Sequence, residues 1–433
     1  MWSWLGRIDP LKVNDNMKSK IKRIMITLLT GLVLLCGCIL QPQETNSESE
    51  QDLQGLTNQG SDESVSFAGT ASKDDQDDEQ INQQVSFDTM HWKQGMELLY
   101  ANQFDVKQCG EYYLITIVDN GRFLLMPENV DMPTDIPEDI ITLQKPLKNV
   151  YLVSSSVFDA IRKIDSLDRI RFSSTQSDSL YIPEAAEAMN NGAMLFAGKY
   201  SAPDYELLLR EGCDLAIENT MIYHKPETKE KLQELGIPVL VETSSYESHP
   251  FGRMEWIRLY GLLFDKQDEA DRFFLTGIEQ VEPLLSQEKR DCKVAFFYMN
   301  SNGVINVRKP ADYIAKLIEM AGGEYVPANI GTQEDNALST MNMQLEDFYL
   351  AAKDADVLIY NSVTTGTLES LDDLLSMNPL FDDFKAVKEN RVYCTGQNFF
   401  QESMAIGDFA ADLSKVIRGE EQDELQLLIH LEK

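Results

Sequence analysis

From Val150 onward, short apolar runs of strand character alternate with helical stretches, in two blocks separated by one long amphipathic segment. The first block carries VYLVSS (150–155), GAMLFA (192–197), CDLAIEN (213–219) and IPVLVET (237–243), with helical patterns over 183–191, 203–211 and 226–235. Those helices open on proline, whose fixed φ suits a first helical turn. The second block carries KVAFFYMN (293–300), DVLIYNS (356–362) and RVYCTG (391–396), with helices over 311–321, 344–352 and 403–417. Near-continuous apolar strands separated by helices belong to parallel sheets covered on both faces. The order predicts an α/β protein of two lobes with mainly parallel, Rossmann-like sheets. Between the blocks, residues 252–287 place Trp256, Leu259, Tyr260, Leu263, Ala270, Phe273, Phe274 and Ile278 at three- and four-residue spacing. Read as a single long α-helix joining the lobes, about 28 residues make a rod of roughly 40 Å. Ahead of the first lobe, Asp119-Asn120-Gly121 sits between two alternating apolar runs and predicts a leading β-hairpin.

The N-terminal part is of another kind. Met17 to Cys38 read MKSKIKRIMITLLTGLVLLCGC, with Lys18, Lys20, Lys22 and Arg23 ahead of an apolar stretch from Ile24 to Leu35. A membrane span needs roughly 20 apolar residues, so this shorter stretch reads as an export signal. Leu35-Cys36-Gly37-Cys38 resembles the bacterial lipobox, which implies a diacylglyceryl group on Cys38 and cleavage before it. Residues 1–16 fit no signal pattern, and Met17 is the expected start. Residues 39–86 are rich in Gln, Ser, Asn, Asp and Glu and cannot bury enough surface to fold. They read as an acidic tether reaching on the order of 40 Å. The expected organisation is signal (1–38), tether (39–86), N-terminal lobe with its hairpin (87–251), connecting helix (252–287) and C-terminal lobe (288–433).

Charge and motif content exclude several functions. Lys and Arg number 38 against 71 Asp and Glu, a net charge of −33, which repels a phosphate backbone and argues against nucleic-acid binding. His91, His224, His249 and His430 are scattered, so no zinc or manganese site is expected. Cys109, Cys213, Cys292 and Cys394 lack metal-ligand spacing and read as buried free thiols or a disulfide. There is no GxSxG, HExxH, P-loop or GxGxxG at a strand-to-helix turn. No enzyme and no resident cofactor are expected.

Local phrases then point to a family. KYSAPDYELLLREGCDLAIEN (199–219) matches a helix-turn-strand segment at Pro203, Glu206, Leu208, Asp214 and Leu215, with Glu211-Gly212-Cys213 where Lys-Pro is usual. Leu235-Gly236-Ile237-Pro238-Val239, VRKPADYIAKLIEMAGG (307–323) and QLEDFYLAAKDADVLIY (344–360) follow in the same order and spacing. Together with the signal and the two lobes, they resemble the class III substrate-binding proteins of ABC importers. The resemblance implies an extracytoplasmic, lipid-anchored, monomeric protein on the cell membrane. It would bind an iron complex (ferric siderophore or haem) or a cobalamin-type corrinoid and hand it to an ABC permease and its ATPase. It also implies a surface Glu on each lobe, Glu206 and Glu346, docking on the permease; solvated helix charges are the alternative. The other overall reading is a surface adhesin or sensor lipoprotein without a transport role.

Ligands of such folds lie where loops leave the carboxyl ends of parallel strands. Arg253 can pair with a ligand carboxylate or form a hinge salt bridge. Arg308 and Tyr313 open on the same side of the second lobe. Tyr200 and Met221 would supply an aromatic or soft apolar wall, or rim packing. Tyr298 and Met299 end a strand and face either cleft or core. Gln397, Asn398 and Gln401 can hydrogen-bond ligand oxygens. His249 is an axial-ligand candidate or a polar surface group, and Tyr246 and Trp256 are equally packing positions. Basic groups at the cleft of an acidic chain favour an anionic ligand.

Overall fold

A computed structural model describes residues 85–285, 288–328, 340–364, 366–420 and 424–433. The export signal, Cys38 and tether residues 39–84 lie outside them. The chain begins with β1 (Lys93–Gln94), β2 (Phe104–Cys109), β3 (Tyr112–Ile117), β4 (Gly121–Met126) and β5 (Ile140–Gln144), one five-stranded sheet in chain order. Pairing is antiparallel until β5, which joins β4 in parallel. The expected hairpin is β3–β4, with Ile117 opposite Gly121. Asp119 at its tip takes φ +57°, a left-handed conformation that Asp tolerates.

Lobe one is a wholly parallel sheet. Its strands are β6 (Val150–Leu152), β7 (Ile170–Ser173), β8 (Leu195–Phe196), β11 (Leu215–Glu218) and β12 (Val239–Val241), in the order β12-β11-β6-β7-β8. A short ladder of β9 (Gly198–Lys199) and β10 (Ala202–Pro203) follows β8. The crossovers carry α1 (Val157–Lys163), α2 (Pro183–Asn190), α3 (Tyr205–Arg210) and α4 (Pro226–Glu234). Tyr151, Val153, Phe172, Leu208, Val239 and Val241 form its core.

The expected single connecting helix is two. α5 (Pro250–Leu263) and α6 (Gln267–Leu285) fold back on one another as an antiparallel pair. Gly261 packs against Ala270, and Gly277 against Met254 one end further along. The chain reverses at Asp265, which sits at φ +60°; a left-handed residue ends an α-helix because its carbonyl leaves the helical direction. α5 is almost wholly buried. Its Glu255 accepts the backbone N–H groups of Leu99, Tyr100 and Ala101, each at 2.8 Å. Glu247, just ahead of α5, accepts those of Asn102 and Gln103 at 3.0 Å, together with the Trp256 indole N–H. Two buried carboxylates thus strap the leading sheet to the connector.

Lobe two mixes directions. β13 (Lys293–Met299), β15 (Glu324–Val326), β17 (Val357–Tyr360) and β18 (Val392–Thr395) run parallel, while β14 (Ile305–Arg308) and β16 (Thr340–Met343) extend the sheet antiparallel beyond β13 and β19 (Leu428–His430) adds an antiparallel strand beyond β18. Its helices are α7 (Tyr313–Met320), α8 (Leu345–Ala352), α9 (Leu371–Met377), α10 (Lys385–Lys388) and α11 (Ile406–Arg418). Phe297, Phe348, Phe381 and Phe384 stack through its core. Cys109, Cys213, Cys292 and Cys394 are all free thiols. Among the described residues no helix is long and apolar enough to cross a membrane.

Candidate functional site

The carboxyl ends of the parallel strands of the two lobes face each other, because the segment after β7 meets the segment after β18. The Tyr181 hydroxyl donates to Gln397 Oε1 at 2.7 Å, and the Tyr181 amide donates to Gln401 Oε1 at 2.8 Å. Gln401 Nε2 donates in turn to the Ser179 carbonyl. Ser403 Oγ donates to the Ser156 carbonyl, and the Met404 amide to Asp159 Oδ2. Gln397 and Gln401, expected to face a ligand, are thus engaged by the opposite lobe. Asn398 sits half-buried in the same turn, a 3-10 segment over Gln397–Phe400.

Lobe one presents an apolar rim there. Tyr181 after β7, Phe196 ending β8, and Met221 and Tyr223 after β11 are 37% to 46% exposed. The leading sheet reaches the same rim. Tyr223 donates its hydroxyl to Asn120 Oδ1 at 2.6 Å, which brings exposed Val118 at the hairpin tip alongside. Of this group only Met221 was singled out from the sequence. Tyr181 is hidden from the sequence because β7, with Arg171 in its middle, does not read as a strand; Phe196 ends a run that reads as a strand, and Tyr223 lies in the loop after β11. Tyr200 is half-buried and packs on the lobe-one core.

Beneath the rim lie buried polar groups. Ser154 Oγ donates to Glu242 Oε2 at 3.1 Å, and the Ser244 amide to Glu242 Oε1 at 2.6 Å. Glu218, ending β11, is fully buried and neither carboxylate oxygen has a hydrogen-bond partner. Burial pushes its pKa up to about 8, since a charge deprived of water is disfavoured.

On the connector, Arg253 is half-buried with its guanidinium 4.7 Å above the Tyr313 ring, a cation–π contact. Among the described residues no carboxylate lies within ion-pair distance of it, so the hinge salt bridge is not formed. Arg253 and Tyr313 border a cavity of about 20 Å³ with Phe399, Phe400, Glu402 and Ser403, room for a water-sized group. Burial raises the Tyr313 pKa, against the opposing charges of Arg253 and Arg308. Arg308 itself is only 6% exposed, 3.7 Å from Asp312 and stacked near Phe400 and Phe296. It is an internal cation rather than an open one, because β14 turns its side chain onto the Phe296 face of the sheet. Met299 belongs to the lobe-two core, and Tyr298 is half-buried against it; the alternation of β13 sends Met299 to the same face as Phe297.

His249 is not a free surface group. Its Nδ1 accepts the Phe251 amide as the cap of α5, its ring stacks on Tyr100 at 4.5 Å, and burial lowers its pKa to about 4. Trp256 is a packing residue, edge-on to Phe104 at 5.0 Å. Among the described residues no cluster of His, Cys, Asp or Glu is placed to hold a metal ion. Glu206 and Glu346 are exposed in the first turns of α3 and α8.

Comparison with known proteins agrees with this geometry. An uncharacterized lipoprotein of Methanocaldococcus jannaschii is 24% identical over 329 residues, spanning 72% of this chain and 75% of its own. A periplasmic haem-binding protein from Pseudomonas aeruginosa superposes with a TM-score of 0.52 at 15% identity, over 66% of this chain and 98% of that one. A periplasmic binding protein from Veillonella parvula gives 0.51 at 13% identity, over 73% and 98%. Both share the fold. The periplasmic binding protein family, whose members bind solutes and are not enzymes, matches residues 178–399. That stretch is just over half of the sequence and runs from the interlobe contact at Ser179 through the turn at Gln397, so the chain belongs to the periplasmic binding protein family.

Proposed function

We propose that this protein is the lipid-anchored, extracytoplasmic solute-binding component of an ABC importer, held to the membrane through Cys38. Its cargo is a metal complex with a broad apolar face, a ferric siderophore, haem or a corrinoid, delivered unchanged to a permease and its ATPase. One observation carries the reading of the cargo. Of the ten large apolar side chains exposed among the described residues, Tyr181, Phe196, Met221 and Tyr223 lie at or beyond the carboxyl ends of lobe-one strands, with Val118 of the leading hairpin two residues from Asn120, the partner of Tyr223, on a chain of net charge −33. A small hydrophilic solute has no use for such a wall, whereas a macrocycle or catecholate ring would cover it. Tyr200 extends the wall. Arg253, lacking a carboxylate partner, and Tyr313 supply the cationic and hydrogen-bonding side for an anionic substituent, backed by Arg308. Asn398 offers a polar contact, and Gln397 and Gln401 set the cleft through their bonds to the other lobe.

The test titrates the chain from Cys38 onward, with Cys38→Ser, against haemin, cyanocobalamin, cobinamide and several ferric siderophores. One class is expected to raise the melting temperature saturably, since ligand at 100 times its Kd adds about 2.7 kcal/mol. Met221→Asp is expected to weaken that class roughly tenfold by charging the wall. A chain whose melting temperature responds to none of these compounds would sink the reading.

A further inference from the structure

A groove of about 490 Å³ lies along α6, and lobe one, the connector and lobe two all line it; its volume is that of a small-ligand site. On α6, Phe273, Gly277, Val281 and Leu284 recur at spacings of four, four and three and share one helix face, an apolar strip about 16 Å long. Lobe two supplies the facing side with Met404 and the small residues Gly407 and Ala411. The two helices meet at Gly407, where a Cβ would lie 2.8 Å from Val281. Lobe one closes the Phe273 end with Lys163, the last residue of α1, whose Nζ stands 5.7 Å from the Phe273 ring. Charges at that end do not cancel. Glu269 is matched by Lys266 at 3.6 Å, whereas among the described residues Lys163 and Arg272 have no ion pair. Lys163 gains from ending a helix; Arg272, in the second turn of α6, gains nothing from its own. Asp408, the acid on the lobe-two side, lies in the first turn of α11, where the free amides favour it.

Two unmatched cations at one end of a linear apolar strip fit a molecule with an anionic head and an aliphatic tail. We propose that this groove binds a long-chain fatty acid, with its carboxylate between Lys163 and Arg272 and its chain along the strip from Phe273 to Leu284. The carboxylate meets cations that no side chain satisfies, and the tail removes the strip from water. The site shares no residue with the apolar wall of the cleft, and the inference does not rest on the importer reading. Its occupant spans the edge at which the Met404 amide holds Asp159 of the other lobe.

The experiment titrates cis-parinaric acid, a fluorescent fatty acid, into the delipidated chain from Cys38 onward carrying Cys38→Ser. Saturable fluorescence enhancement is expected, competed by palmitate and roughly tenfold less well by its methyl ester, which lacks the charge. Lys163→Glu combined with Arg272→Glu, both at exposed positions, is expected to weaken the acid roughly tenfold at unchanged melting temperature, since two attractions become repulsions. Ala411→Phe, which fills the groove and leaves its charges in place, is expected to weaken acid and ester alike, and Met221→Asp in the cleft wall to change neither. Hydrogen exchange at the Met404 amide is expected to slow on binding. Absence of saturable binding would overturn the site, and so would equal competition by acid and ester. Binding lost in Met221→Asp but kept in the double charge reversal would place the fatty acid in the cleft and overturn the groove, while leaving the cargo reading to its own test.

Discussion

Glu218 closes a central strand of lobe one with both carboxylate oxygens enclosed and unpartnered. Its pKa, pushed up to about 8 by burial, keeps the proton on through neutrality, since the ionised form would stand in the core without a counter-charge. Between the ordinary carboxylate value near 4.5 and 8 the folded state holds a proton that the unfolded chain has released. The contribution is therefore complete below about 4.5 and is lost as the pH rises to 8. The expected loss is on the order of 5 kcal/mol across that window, and Glu218→Gln should abolish this slope. Urea denaturation of both proteins at pH 5 and pH 8 measures it, and parallel pH dependence in the two would refute the account. His249 acts in the opposite sense. Lowered to about 4, its neutral ring supports the fold fully above its ordinary 6.5, and that support is lost as the pH falls to 4.

At the scale of elements, the connector is the instructive case. α5 and α6 approach closely because Gly261 has no side chain; a Cβ there would lie 2.6 Å from that of Ala270. Gly261→Val must push the helices apart and is expected to cost about 1 to 3 kcal/mol. At Gly277 the nearest atom is the flexible end of Met254, at 3.3 Å. Gly277→Ala should be neutral or stabilising through helix propensity. Equal denaturation midpoints for the two variants would contradict the packed hairpin. The apolar period of this segment runs on across Phe264-Asp265-Lys266, so periodicity alone reads one rod; the reversal depends on Asp265 taking φ +60°, which no spacing reveals. The same limit hid INVR of β14, TMNM of β16 and LIH of β19, four residues or fewer whose strand state comes from neighbours already in place. The longer apolar runs at 150–155, 213–219, 293–300, 356–362 and 391–396 were legible because each is a buried strand of a parallel core. Arg253 and Tyr313 were each legible as candidates. Their contact was not, since it spans sixty positions and depends on how α5 crosses lobe two.

For the whole molecule, the contacts between the lobes decide how the site opens. Several among the described residues are polar, and Gln401 makes two of them, accepting from the Tyr181 amide and donating to the Ser179 carbonyl. Tyr181 adds a third through Gln397, while Ser403 and Met404 hold the edge nearest α1. Such bonds exchange readily with water and contribute about 1 kcal/mol each, so parting the lobes there exposes polar groups rather than a dry core. A second tie crosses nearby: α5 packs on α1 in lobe one and on α7 in lobe two, which keeps the motion modest and hinges it on the connector. Gln401→Ala should therefore loosen the cleft without unfolding either lobe. The Tyr181 amide, which donates to Gln401 alone, is the direct reporter. Its hydrogen exchange is expected to accelerate roughly tenfold or more in the variant, as one or two such bonds are lost. The Ala216 amide, bonded to the Pro238 carbonyl within the lobe-one sheet, should keep its wild-type rate. Equal acceleration at both amides would mean that lobe one itself had been destabilised, and no change at Tyr181 would mean that the lobes are held elsewhere. The same substitution bears on cargo. If the polar bridge competes with ligand for the glutamines, the variant binds more tightly; if it pre-sets the cleft in its binding-competent form, the variant binds more weakly, in proportion to the population lost. The buried position of Gln401, only 8% exposed and satisfied at both ends of its amide, favours the second, and weaker binding is the expected outcome.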